Sequence, residues 1–207
     1  MMAITSKKAH WERIYEDLLP EEVSWYQKEA TLSLELIRLA GLGPDGTIID
    51  IGGGASVLVD GLLDAGYRNV TVLDLSPRAL AHARQRLGER AKQVEWVEAD
   101  VTDLVLPRVY DLWHDRAVFH FLTEAGDRKK YRETMNRSVQ VGGYAIIATF
   151  AIGGPTKCSG LEVVQYDAQK LSGELGPAFS LIDQRAERHV TPTGKEQQFG
   201  YFLFRRV

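Results

Sequence analysis

The sequence predicts an α/β chain folded around a doubly wound, mainly parallel sheet. Three observations carry this. Short β-branched runs alternate with helical stretches between residues 47 and 151. The first run ends in three consecutive glycines, Gly52, Gly53 and Gly54. The last two runs are joined only by the turn-rich TPTGKE. Strands separated by helices need crossovers and therefore pair in parallel, whereas a short Pro/Gly turn suits an antiparallel pair.

Each element follows in chain order. Trp11, Ile14, Tyr15, Leu18 and Leu19 recur at helical spacing and predict a helix over residues 6–19, stopped by Pro20. A second helix over 29–40 closes on Gly41 and Gly43. TIIDI at 47–51 is the first strand, followed by a helix over 56–65 and a strand over 70–75. Ser76 then supplies an N-cap, Pro77 the first helical position, and ALAHARQRL the helix. Strands are expected at 94–98 and 109–114, and a polar helix at 125–139. Gly142 and Gly143 then turn the chain into the strand YAIIATFA. Residues 153–160 read as a loop, AQKLSGEL as a short helix, and FSLIDQRAERHV with QFGYFLFRRV as the closing strand pair.

Composition narrows the function classes. The 207 residues suit one domain, and no repeat or Ser/Pro-rich linker divides them. Hydrophobic residues at 44% and charged residues at 26% exclude a disordered chain. A net charge of -3 argues against a nucleic-acid-coating surface. A single cysteine, with no Cys/His cluster, makes a disulfide framework or a metal site unexpected. No apolar run approaches the roughly 20 residues of a membrane span, and the N-terminus lacks a signal-like apolar region. The expected chain is soluble and cytoplasmic, without a nucleic-acid or membrane partner.

In an open α/β sheet, ligands lie beyond the carboxyl ends of the strands. The first such loop reads Asp50-Ile51-Gly52-Gly53-Gly54-Ala55-Ser56. Glycines there allow a tight turn and close approach of a ligand. The dinucleotide fingerprint fails, because Val57 stands where its third glycine belongs, and no Gly-Lys-Ser/Thr makes a phosphate loop. Asp50 is unwelcome beside a pyrophosphate and suits a cationic amine instead. Asp74 and Asp100 end the next two strands, at intervals of 24 and 26 residues. Asp74 is placed to accept ribose hydroxyls, and Asp100-Val101 to take an exocyclic amine and a ring nitrogen of adenine. Alone, each acid also reads as a solvated turn residue; recurrence at three successive strand ends favours the ligand reading.

The segments DIGGGAS, VTVLDLSPRAL, EADVTDL and YDLWHDRAVFHFL together resemble the class I S-adenosylmethionine-dependent methyltransferases, over residues 25–207. The resemblance implies a Rossmann-like sheet of seven strands with the last antiparallel. It also implies S-adenosylmethionine as cofactor and an N-terminal helical cap, residues 1–43, over its site. Asp50, Gly52 and Gly54 would line the methionine end, Asp74 the ribose, and Asp100 and Val101 the adenine. Gly53, Ser56, Leu75, Ser76, His114 and Trp25 complete the implied set, with Trp25 offering an aromatic face to the sulfonium. Ser56 departs from many members, which carry a glycine there. That Gly-x-Ser, with Trp25-Tyr26, is similar to the small type-12-like lysine methyltransferases of the citrate synthase and elongation factor 1A types.

Methyl transfer is an in-line displacement that needs positioning, and needs a base only for a protonated nucleophile. His114 and Asp115, at the fourth strand end, are the expected catalytic candidates, though both also suit strand capping. His120 stands a turn further on. Arg116 would pair with Asp115 or with an acidic substrate. His82 reads as solvent-facing, His189 as a turn residue, Cys158 as incidental, and residues 153–160 as a possible lid. A small-molecule acceptor is favoured over a protein lysine. An NAD-dependent oxidoreductase fits poorly with the missing glycine and the extra Asp50 and Asp100. A non-catalytic cofactor-binding module fits poorly with a cofactor loop that keeps its acids and glycines.

Overall fold

The computed structural model describes residues 4–207; residues 1–3 of the expected domain and cap lie outside the described residues. Two helices, α1 (Ile4–Asp17) and α2 (Thr31–Leu39), lead into β1 (Thr47–Ile51), α3 (Leu58–Asp64), β2 (Asn69–Asp74), α4 (Pro77–Leu87), β3 (Val94–Glu98) and β4 (Tyr110–Arg116). The chain continues through α5 (Ala125–Ser138), β5 (Val139–Phe150), β6 (Lys157–Cys158), β7 (Leu161–Glu162), α6 (Ala168–Leu175), β8 (Phe179–Val190) and β9 (Glu196–Arg206). Seven strands form one sheet in the order β3-β2-β1-β4-β5-β9-β8. The pairings from β3 to β5 are parallel, and β9 runs antiparallel to both neighbours. This is the expected seven-stranded sheet with its last strand antiparallel. Strand order reverses between β1 and β4, which puts the ligand crevice at their carboxyl ends.

Alternation along the strands builds two cores. Ile48, Val72, Leu112 and Ile146 face Ile37, Leu62 and Leu80 from α2, α3 and α4. Ile49, Leu73, Trp113 and Ile147 face Tyr131, Met135 and Leu171 from α5 and α6. The Ser76 hydroxyl accepts the Ala79 N–H at 3.1 Å and caps α4 as its sequence position predicts. No helix among the described residues is long and apolar enough to cross a membrane.

Four local expectations are corrected. The first helix ends at Asp17, because Leu18 and Leu19 are 38% and 60% exposed and bring no core contact to extend it. Gly142 and Gly143 lie inside β5, where the register to β4 jumps from Tyr110↔Val139 to Leu112↔Tyr144. A bulge absorbs them, with Gly142 at a φ of +83°. β4 runs on to Arg116 because pairing with β5 continues to Ala148. The expected loop at 153–160 runs into a short hairpin, β6–β7, whose central residues Ser159 and Gly160 both have positive φ, the signature of a two-residue hairpin turn.

Candidate active site

The carboxyl ends of β1, β2 and β4 border a cavity of about 440 Å³. α1 lies over it and is tied down at three points. Lys7 pairs with Asp127 at 2.6 Å, Lys8 with Glu98, and the Glu12 carboxylate accepts from the Ser76 hydroxyl and from the Arg78 N–H at 3.2 Å. Solvent-exposed ion pairs such as Lys8–Glu98 contribute only about 0–1 kcal/mol, so aromatic packing adds to the hold on the helix. Trp11 sets its ring edge-to-face against Trp25 at 5.7 Å and Phe121 at 5.0 Å. The Trp25 indole N–H donates to the Tyr15 hydroxyl at 3.3 Å. His82, expected to face solvent, is half-buried 6.2 Å from the Tyr15 ring.

The glycine turn brings two carboxylates against the backbone. A Cβ on Gly53 would lie 2.4 Å from Asp50 Oδ2, and one on Gly54, at φ +32°, 2.6 Å from Asp74 Oδ2. Larger residues would displace both acids. Asp74 Oδ1 accepts the Ser76 N–H at 2.8 Å. Burial, reinforced by Asp50 and Glu12, pushes its carboxyl up to about 7 against the pull of backbone donors at Ser76 and Leu75. Asp100 Oδ1 accepts from the Thr102 N–H and hydroxyl at 2.8 and 2.7 Å, while its buried Oδ2 has no partner. Beside the main cavity lies a recess of about 50 Å³, lined in part by Ser33, Asp50, Gly53, Ser56 and His114. Trp25, Gly52, Tyr15 and Arg116 border both spaces.

The sequence-derived site residues thus divide. Trp25, Gly52, Asp74, Leu75, Asp100 and Val101 line the main cavity, and Asp50, Gly53, Ser56 and His114 line the recess. Gly54 and Ser76 border neither and act from behind, through Asp74 and the α4 cap. Ser56 also accepts the Leu58 N–H at 3.1 Å, at the start of α3.

His114 and Asp115 do not sit together as expected, because successive residues of a strand face opposite ways. His114 shares the Asp50 face, with Nδ1 2.7 Å from Asp50 Oδ1 and Nε2 2.9 Å from Ser33 Oγ. Asp115 is fully buried on the other face and borders neither space. It accepts the Val118 and Phe119 N–H groups at 2.9 and 3.1 Å and the Tyr131 hydroxyl at 2.6 Å. Burial pushes its carboxyl up to about 6 despite these donors. Arg116 turns away from Asp115 too. It donates to Tyr201 Oη at 2.7 Å and the Trp25 carbonyl at 3.0 Å, pairs with Glu187 at 3.4 Å, and lies 4.6 Å from the centre of the Phe199 ring.

Instead, His120 lines the cavity. Its ring stacks on Phe150 at 4.6 Å, and Nδ1 accepts the Phe150 N–H at 3.4 Å. An accepting Nδ1 puts the proton of the neutral ring on Nε2, which has no partner. Burial and the nearby Arg116 push the imidazole down to about 3. The folded state therefore refuses a proton that the unfolded chain takes up near pH 6.5. Stability held above pH 6.5 is lost as pH falls from there toward 3. Between pH 6.5 and 5 this amounts to about 2 kcal/mol. His120→Gln should remove that part of the acid-side loss, read as the difference between urea unfolding curves of the two proteins at both pH values.

Cys158, read as incidental, borders the cavity with its Sγ 3.8 Å from Ser24 Oγ. Burial pushes its thiol up, which disfavours a nucleophilic thiolate. His189 donates from Nε2 to the Ser24 carbonyl at 2.8 Å and borders neither space. Phe121, Phe150 and Phe199 complete the cavity wall; they come from three separated segments that only the tertiary fold brings together. Among the described residues no group of three His, Cys, Asp or Glu side chains converges as a metal site.

Residues 48–143 match the methyltransferase-domain family profile. Over 68 residues, 32% of this chain, the sequence is 40% identical to the chloroplastic 2-methyl-6-phytyl-1,4-hydroquinone methyltransferase of Arabidopsis thaliana, covering 20% of that protein. Over 97 residues, 47% of this chain, it is 29% identical to the eEF1A lysine and N-terminal methyltransferase of Danio rerio, covering 14% of it. The chain thus spans only a small part of these relatives. In fold it is similar to N-methyltransferase NodS from Bradyrhizobium japonicum, solved with S-adenosylhomocysteine. The TM-score is 0.71 at 18% identity, over 94% of this chain and 97% of that one.

Proposed function

We propose that this chain, which belongs to the class I S-adenosylmethionine-dependent methyltransferase family, methylates a small, weakly polar or aromatic acceptor bound beneath α1. Its cofactor is S-adenosylmethionine. The residues present fit that group on two observations. The glycine turn makes room for the Asp50 and Asp74 carboxylates where a Cβ would collide, and Asp100 Oδ2 is a buried acceptor without a donor. Asp74 would take the ribose hydroxyls, Asp100 and the Val101 N–H the adenine edge, and Asp50 the amine. When bound, the cofactor supplies a methyl group on a cationic sulfur.

The observation that carries the acceptor class is the wall of the cavity. Phe121, Phe150, Phe199 and the neutral His120 ring provide an apolar face, and the cation among them, Arg116, is already neutralised by Glu187. These rings suit an acceptor with apolar or aromatic surface, and of the carboxylates that also border the cavity Asp127 is paired with Lys7 and Glu162 with Lys157. The His120 Nε2–H remains available to donate to an oxygen or ring nitrogen of the acceptor. His120 does not serve as a base, because Nδ1 is engaged with Phe150 and Nε2 carries the proton. The acceptor would arrive with its lone pair free, and the protein's contribution is positioning and exclusion of water beneath α1.

The test is transfer of radiolabel from methyl-labelled S-adenosylmethionine into a cell extract, split afterwards by a size filter. Label is expected in the filtrate and should fall strongly with Asp74→Ala. Label retained with protein would overturn the small-acceptor reading in favour of a lysine methyltransferase.

A further inference from the structure

We infer that Ser33 and His114 are positioning residues for the cofactor's amino-acid end, through a buried Ser33–His114–Asp50 chain that holds the Asp50 carboxylate as a fixed anionic anchor. The inference rests on the cofactor reading above and concerns residues that touch Asp50 rather than the reacting atoms.

The three side chains come from three elements, α2, β4 and β1, and are 1%, 2% and 2% exposed. Asp50 and His114 are register partners on adjacent parallel strands, so their side chains leave the sheet side by side. The 2.7 Å contact puts a proton on His114 Nδ1, facing the carboxylate. Nε2 on the other side of the ring meets the Ser33 hydroxyl at 2.9 Å. Both ring nitrogens are thus occupied and the imidazole plane is locked. The donor fixes the orientation of the Asp50 carboxylate, which lines the recess where a cationic amine would meet it. Asp50 Oδ2 lies under Gly53, where no Cβ intervenes.

Serine, histidine and aspartate in this order are also the composition of a hydrolytic triad. Burial rules that use out. Ser33 is 1% exposed, which leaves its hydroxyl no path of attack on an acyl carbon. What remains is orientation of the carboxylate.

Calorimetry with two ligands tests this. S-adenosylhomocysteine carries the amino acid end; methylthioadenosine keeps the adenine, ribose and sulfur but lacks it. His114→Leu is expected to weaken S-adenosylhomocysteine about 10- to 100-fold, the loss of one hydrogen bond to a charged group, and to change methylthioadenosine by no more than about twofold. His114→Asn, whose amide N–H can stand where Nδ1–H stood, should recover most of the affinity. Ser33→Ala should cost roughly three- to tenfold, again only for S-adenosylhomocysteine. Equal losses for both ligands, or unchanged S-adenosylhomocysteine affinity in folded variants, would overturn the inference. If His114→Leu fails to fold, Ser33→Ala carries the same two-ligand comparison and decides it alone. Wild-type protein that binds neither ligand would overturn the cofactor reading itself, an outcome distinct from a failure of the buttress.

Discussion

Asp74→Ala is expected to raise the dissociation constant for S-adenosylhomocysteine about 10- to 100-fold, because two ribose hydroxyls would lose a shared charged acceptor. The effect should depend on pH. Burial, with Asp50 and Glu12 nearby, pushes the Asp74 carboxyl up to about 7, so near pH 6 most of the free protein carries it protonated. Only the ionised form would accept from both hydroxyls of a bound ribose. Wild-type affinity should therefore improve by up to about tenfold between pH 6 and pH 8, and Asp74→Asn should flatten that dependence. The linkage has a second face. A carboxyl held above its unfolded value costs the free protein stability as pH rises from about 4 through 7, so Asp74→Asn should stabilise the ligand-free protein at pH 8. The gain is on the order of 1–2 kcal/mol, reduced by the partial exposure of the group. Calorimetry at three pH values, with urea unfolding at pH 8, checks both halves. Pocket and penalty share one cause: an acid kept where solvent is scarce.

What could be read ahead of the structure is what local chemistry dictates. Asp50, Asp74 and Asp100 were readable because one strand–helix unit separates each from the next, and all three end strands on the same side of the sheet. Ser76-Pro77 was readable because an N-cap is a contact between near neighbours. His114 and Asp115 went astray for a reason also present in the sequence. Once 114 and 115 are placed in a strand, alternation forbids both from facing one ligand, and extending β4 by two residues puts both inside it. His120, Ser33 and the Arg116–Glu187–Tyr201 cluster needed the tertiary fold. Glu187 and Tyr201 meet Arg116 only because β9 inserts between β5 and β8, a pairing no local pattern specifies. The bulge at Gly142 shows the same limit: two glycines signal irregular backbone, and only the register with β4 makes it a kink within a strand.

Asp115 provides the second large expectation, and its outcome decides what kind of residue it is. Asp115→Ala should lower folding stability by about 3–5 kcal/mol. Its carboxylate is the acceptor for the Val118 and Phe119 N–H groups and for the Tyr131 hydroxyl, and Tyr131 Oη in turn accepts the Trp113 indole N–H at 2.8 Å. All of these donors lie in the core on the α5 side, where water cannot replace the lost oxygen. They also set the turn after β4, which includes Ala117 at a φ of 72°, so the segment leading to His120 should loosen first. Asp115→Asn keeps the volume and one acceptor and should cost less. The burial that pushes the acid up to about 6 also means the asparagine avoids a charge penalty that grows as pH rises from about 4 through 6. A scaffold role predicts that any Asp115→Asn molecules that fold bind S-adenosylhomocysteine normally and turn over at near wild-type rate, with all loss traceable to the unfolded fraction. A fully folded Asp115→Asn protein with unchanged ligand affinity and no methyl transfer would require the carboxylate to act in the chemistry. For that, β4 would have to turn its opposite face toward the cavity, against the register that pairs Asp115 with Ile51 and Ile147.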